Sequence, residues 1–115
     1  MVPEIEKCQF GEITIAGHRH TKDLIILPDR IVTDWWREKG HELRPSDLQP
    51  VLDAEPELLV VGTGAYGRMR VTDETRQTLE QAGIQLIAQP TDAAIQTYEA
   101  EAGKARLALA LHLTC

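Results

Sequence analysis

The sequence predicts a three-layer α/β domain, with a mixed central sheet built from βαβ units in the C-terminal half and an antiparallel β-layer in the N-terminal third. Three observations carry this. From Glu57 onward, short apolar runs alternate with helix-length segments: Leu58 to Val61, Asp73 to Ala82, Ile84 to Ala88, Asp92 to Ala102, Arg106 to Leu113. Such alternation belongs to βαβ units around a parallel or mixed sheet. The run Leu107-Ala108-Leu109-Ala110-Leu111 is apolar on both faces, as a strand covered on both sides must be, and this puts it in the middle of the sheet. The first third instead shows short β-rich runs broken by turn residues.

Taken in order, Gln9 to Ile15 alternates with Phe10, Ile13 and Ile15 apolar, and Ala16-Gly17 offers a turn before His18 to Thr21, which predicts a hairpin. Leu24 to Leu27, stopped by Pro28-Asp29, continues the β-rich pattern, either as an extension of the second strand or beyond it. Arg30 to Trp36 reads as another short strand. Ser46 and Gln49 have the spacing of a capping box, and Leu48, Val51 and Leu52 form a short apolar stripe ended by Pro56, which predicts one short helix. Thr72 and Thr91 stand as N-caps before acidic first turns, and Gly83 and Gly103 stand where a helix ends in a left-handed residue. No internal repeat, low-complexity segment or linker interrupts the chain.

The 115 residues fit one domain, residues 1–115, of ordinary size. Lys and Arg number 12 against 18 Asp and Glu, a net charge of -6, and the basic residues are scattered rather than gathered in a stripe. That balance argues against a nucleic-acid partner or an anionic membrane surface. No apolar run approaches the roughly 20 residues of a membrane helix, and the acidic start from Met1 to Lys7 lacks a signal-peptide core. A cytoplasmic protein is expected, with Cys8 and Cys115 as reduced thiols.

The candidate chemistry is sparse. Gly62-Thr63-Gly64-Ala65-Tyr66-Gly67-Arg68 follows an apolar strand, and glycines there could let backbone amides converge on an anion, with Arg68 adding charge. The pattern is nevertheless no phosphate fingerprint: G-x-x-x-x-G-K-[ST] is absent, and Met69-Arg70-Val71 separates the last glycine from the next helix. A structural turn is the competing reading. Trp36, His41, His112 and Thr114 are the residues expected to flank such a crevice. His18 and His20 share a strand face and His112 and Cys115 add a nitrogen and a sulfur, but the spacing matches no compact zinc motif, so no metal is expected. Cys115 with His112 lacks the third group that would orient a nucleophile, and no catalytic residue is assigned. Nothing in the pattern demands a cofactor. Adjacent strand residues point to opposite faces, so Trp35 and Trp36 cannot both enter one core, and an exposed tryptophan beside Arg37 is the kind of anchor that interfaces use. Trp35, Trp36 and Arg37 are therefore candidate interface residues, against the competing reading that one tryptophan fills the core and the other covers the helix of Leu48 to Leu52 as a packing lid. Glu74, Glu80, Glu99 and Glu101 read as solvated helix faces.

Several of these segments together carry a resemblance: Trp35-Trp36-Arg37-Glu38 with Gly40-His41, Val60-Val61-Gly62-Thr63-Gly64, Met69-Arg70-Val71, the helix Thr91-Asp92-Ala93-Ala94 to Tyr98, and the ending Ala110-Leu111-His112-Leu113-Thr114-Cys115. The chain resembles, nearly end to end, the family of the adipogenesis-associated (Mth-type) domain protein and of a mitochondrial NADH-dehydrogenase (complex I) assembly factor, which has many bacterial and archaeal members. The resemblance implies a three-layer α/β fold with a mixed sheet and an added β-layer, and it brings no established enzymatic activity. Two functions are then expected in competition. The leading one is a non-catalytic interaction or assembly module acting through the exposed tryptophan, on a protein partner or a second copy of the chain. The alternative is a small-molecule or anion binder, with or without catalysis, at the crevice of Gly62 to Arg68.

Overall fold

The computed structural model describes residues 3–114. Its centre is a five-stranded mixed sheet. Strands β4 (Leu24–Ile26), β5 (Ile31–Val32), β7 (Leu58–Gly62), β9 (Gln85–Gln89) and β10 (Leu107–Leu111) lie in the order β5-β4-β10-β7-β9. β7, β9 and β10 run parallel, and β4 joins β10 antiparallel. The predicted fold class and the central place of the Leu107 run both hold.

Alternation on these strands divides the core in two. On one face Ile25, Leu59, Val61, Ala108 and Ala110 pack with Trp35, Leu43, Leu48, Val51, Met69 and Leu79. These come from α1 (Gln49–Ala54), from α2 (Asp73–Gln81) and from the segments beside them. On the other face Leu24, Ile26, Leu58, Val60, Leu107, Leu109 and Leu111 pack with Ile95 and Tyr98 of α3 (Thr91–Glu101) and with Ile13 and Ile15. In β10 the alanines all face the first side and the leucines the second. Large side chains thus fill the space under α3, while alanines let the α1/α2 layer approach.

Ile13 and Ile15 come from a separate antiparallel sheet of β1 (Ile5–Gln9), β2 (Glu12–Ile15) and β3 (His18–His20). The predicted Ala16-Gly17 hairpin joins β2 and β3. The N-terminal pattern is otherwise corrected. Phe10-Gly11 is a turn, with Gly11 in the left-handed region, so the run from Gln9 to Ile15 splits and β1 is an added strand. Leu24 to Leu27 does not extend the hairpin; its apolar residues are buried on both faces and it crosses to the central sheet. The strand predicted over Arg30 to Trp36 shrinks to Ile31–Val32. Beyond it Asp34 takes φ +52, which no strand continues through.

A third, small sheet pairs β6 (Glu42–Leu43) with β8 (Arg70–Val71) in parallel, too short to show a period. Around Ser46 the chain first makes a 3-10 turn, Pro45–Leu48, whose N-cap is Arg44 and not Ser46, with the Asp47 side chain reaching back to accept the Arg44 amide at 2.9 Å. Thr72 caps α2 as predicted, accepting the Thr75 amide at 3.2 Å. Thr91 does not cap α3: Pro90 holds that position and Thr91 is the first helical residue, its hydroxyl committed elsewhere. Among the described residues no helix is long and apolar enough to cross a membrane. Cys8 is half-buried with a free thiol, whose pKa burial raises. Cys115 lies outside the described residues.

Candidate functional site at the carboxyl end of the parallel strands

In α/β sheets, ligand crevices open beyond the carboxyl ends of the parallel strands, where successive helices leave on opposite faces. Here α2, which follows β7, and α3, which follows β9, cover opposite faces, so the switch lies between the neighbouring strands β7 and β9. The glycine segment stands at that place, and it is largely filled. β10 keeps pairing past its last regular residue, with the His112 amide donating to Gly62 O at 2.9 Å and the Ala65 amide to Thr114 O at 2.6 Å. Thr91 stitches the rest, donating its hydroxyl to His112 O at 2.7 Å and accepting the Gly64 amide at 2.9 Å. The Thr63 amide goes to Gln89 O, Gly67 to Gly64 O, and Met69 to Thr63 O. In the loop from Gly62 to Arg68 the exposed Tyr66 and Arg68 amides are the ones left without such a bond among the described residues, and the Arg68 residue is exposed to solvent.

Gly62 is required by close approach. A Cβ built on it would stand 2.7 Å from Leu111 Cδ2 and 3.2 Å from Thr91 Cα, the latter backbone that cannot swing away. The glycine lets β7, β10 and the start of α3 meet.

Beside this closed seam the structure assembles a buried polar cluster. Asp23 precedes β4, Arg37 lies in the irregular segment after β5, and His112 follows β10. Asp23 Oδ2 lies 2.8 Å from both Arg37 Nη2 and His112 Nδ1, and its Oδ1 accepts the Leu113 amide at 2.8 Å. Sharing that acceptor puts the imidazole proton on Nδ1, so the 3.0 Å approach of Arg37 Nη2 to the same nitrogen follows from the common partner. Arg37 also donates through Nε and Nη2 to Gly40 O, and its guanidinium lies 4.7 Å from the Trp35 ring centroid. The His41 ring meets His112 edge-on at 5.7 Å. Burial alone would raise the Asp23 pKa, but the hydrogen bonds from His112, the Leu113 amide and Arg37 outweigh it and hold the carboxyl below its usual value. Among the described residues, two buried atoms, Arg37 Nη1 and His112 Nε2, have no hydrogen-bond partner.

The segment that carries Arg37 also separates the two tryptophans. Trp35, 7% exposed, enters the core and donates its indole N–H to Asp47 O at 2.9 Å, while Trp36 is 77% exposed. The Trp35 amide donates to Asp23 O at 2.8 Å, which fixes this segment at the carboxyl end. At the same end Phe10 and Tyr66 are 59% and 71% exposed, with ring centroids 6.2 Å apart. The adjoining Gly11 and Ala65 amides donate to Leu113 O and Thr114 O.

The structure thus gathers His41, His112, Thr114, Trp36, Arg37 and the glycine loop at one end of the sheet. His18 and His20 stand on β3, and among the described residues no group of three or more His, Cys, Asp or Glu is placed to hold a metal. Asp23 and Phe10 are the residues at this end that the sequence did not single out.

A family profile of proteins of unknown function, DUF498/DUF598, matches residues 5–112 of the chain. The chain belongs to the DUF498/DUF598 family. Solved structures agree over nearly its whole length. A conserved hypothetical protein of Pyrococcus horikoshii OT3 is 30% identical and superposes with a TM-score of 0.84 over 97% of this chain and 99% of its own. The Rpa2829 protein of Rhodopseudomonas palustris is 31% identical, with a TM-score of 0.80 over 94% of this chain and 81% of its own. A Bordetella pertussis protein described as a Mth938-like domain shares the fold at 21% identity, with a TM-score of 0.80 over 96% of this chain and 85% of its own. The DUF498/DUF598 chain therefore has the Mth-type fold that its motifs resemble.

Proposed function

We propose that this DUF498/DUF598 chain is a cytoplasmic protein-interaction or assembly module that binds through the aromatic face at the carboxyl end of its parallel strands. One observation carries the reading: Phe10, Trp36 and Tyr66, the large apolar side chains left exposed among the described residues, all stand at that end. Scattered singly they would need no explanation, but gathered around one sheet end they form the kind of aromatic anchors that interfaces favour. The segment beneath supports their use. Arg37 and Trp35, to either side of Trp36, are buried and bonded, so the exposed ring stands on a fixed base and little freedom is lost on binding. The resemblance to the family of a complex I assembly factor is in keeping with an assembly role. Glycine-loop anion binding is less well supported, because most of the loop amides are spent within the fold.

The test is association measured on the wild-type chain and on Trp36→Ala and Phe10→Ala, by sedimentation velocity for self-association and by quantitative affinity capture for other partners. A stoichiometric complex that is lost in the variants, while their thermal stability stays near wild type, supports the module. A wild-type chain that stays monomeric and captures the same proteins as Trp36→Ala overturns it.

A further inference from the structure

We infer that a second cleft at this end, between the glycine loop, β8 and the start of α3, binds a small anionic molecule carrying a planar ring. The cleft has a volume of about 590 Å³ and is lined by Thr63, Tyr66 and Gly67 on one side, Arg70 and Arg76 on another, and Gln89 with Pro90 on a third. That volume is within the usual range of small-molecule sites, roughly 300–1,000 Å³.

Its charge runs against the rest of the molecule. The chain carries a net charge of -6, yet the lining of this cleft includes two arginines and no Asp or Glu. The arginines come from different elements, β8 and α2, so the cleft gathers two guanidiniums that the sequence keeps apart. Neither makes a salt bridge among the described residues. Glu42, across the β6-β8 pair from Arg70, feels the Arg70 charge but spends its hydrogen bond on Arg44 Nε at 3.1 Å. Gln89 adds a donor: its side-chain oxygen accepts the Thr97 hydroxyl at 2.6 Å, and among the described residues its amino group has no partner. Two guanidiniums and an amide N–H without a carboxylate match an oxyanion, phosphate or carboxylate, which arginine grips in bidentate fashion. Tyr66 supplies the other requirement, an exposed ring at the rim on which a flat group can stack. Tyr66 belongs to both the interaction face and this cleft, whereas Trp36 lines only the first and Arg70 and Arg76 only the second, so variants at those positions separate the two readings.

The experiment is a heteronuclear NMR titration of the full chain with inorganic phosphate, adenosine monophosphate, adenosine and benzoate. Saturable shifts of the Gly67, Arg70 and Gln89 amides are expected with adenosine monophosphate and none with adenosine. Arg70→Gln and Arg76→Gln each weaken binding about tenfold. Tyr66→Ala removes the advantage of adenosine monophosphate over phosphate, about tenfold for a stacked base, and leaves phosphate binding as it was. If benzoate saturates the cleft and phosphate does not, the oxyanion recognised is a carboxylate. No saturable shift with any of the anions up to ~10 mM, or shifts undiminished in the Arg70→Gln/Arg76→Gln double variant, would overturn the proposal.

Discussion

The glycine loop and the segment from Trp35 to His41 stand side by side at the carboxyl end of the sheet, and they use their chemistry in opposite ways. The loop has the residues of a ligand cradle and spends its amides on Gln89, Thr91 and Thr114. The neighbouring segment, whose first two residues were expected to end a strand, lies outside the sheet, buries Arg37 against Asp23 and His112, and turns Trp36 outward. Glycine in the first serves the packing of three elements, whereas the second carries the buried charge and the exposed ring. A glycine-rich turn after a strand is thus weak evidence of a site until its donors have been traced.

Breaking the buried cluster is the largest available test of this contrast. Arg37→Met leaves Asp23 facing His112 with its cationic partner gone, and a loss of about 3 kcal/mol is expected in urea unfolding at neutral pH. The cluster also sets a pH dependence. Because Asp23 has a folded pKa below its unfolded one, its stabilising contribution is complete above the ordinary Asp range and fades as pH falls through the folded value. The stability gap between wild type and Asp23→Asn should therefore be widest near neutral pH and shrink on acidification; a gap that grows in acid would show that the ion pair is not what stabilises this end.

Gly62→Ala comes next. The added methyl group meets Leu111 and the Thr91 backbone, and overpacking of this kind costs about 1–3 kcal/mol. An unchanged unfolding midpoint would mean that the loop is free to move and would restore it as a ligand cradle. Thr91→Val removes the hydroxyl that bridges Gly64 and His112 at 2.9 and 2.7 Å, leaving buried backbone groups unpaired at a cost of about 1–2 kcal/mol. Faster hydrogen exchange at Gly64 and Ala65 should accompany it. Trp36→Ala belongs at the other extreme. Its ring is exposed, so stability should change by no more than about 0.5 kcal/mol, and a larger loss would mean that the ring serves folding rather than binding.

The parallel half of the fold was legible because its signals are local and redundant: Thr72 and Gly83 mark the ends of α2, and Leu107 to Leu111 is apolar throughout. The N-terminal third was less so. Leu24 to Leu27 looks the same whether it extends a hairpin or crosses to another sheet, since what decides is which face finds partners. Thr91 has the residue type of a cap, but its hydroxyl found stronger use across the β7-β10 seam. At the site, Trp36, Arg37, His41 and His112 were visible as unusual residues; one tryptophan is exposed as expected, but the rings diverge on irregular chain beyond Asp34 and not by the strand alternation the expectation rested on. The pairing of Asp23 with Arg37 and His112 was not visible, because these positions are far apart in sequence and only the crossing of β4 beside β10 brings them together.

The most direct single measurement is paired affinity capture with the wild-type chain and Trp36→Ala as baits, each checked for folding by its unfolding midpoint. An aromatic interaction face predicts a stoichiometric associate, a second copy of the chain or another protein, on wild type and its loss from a variant that unfolds at the same midpoint. The same set of associated proteins on both baits would contradict it.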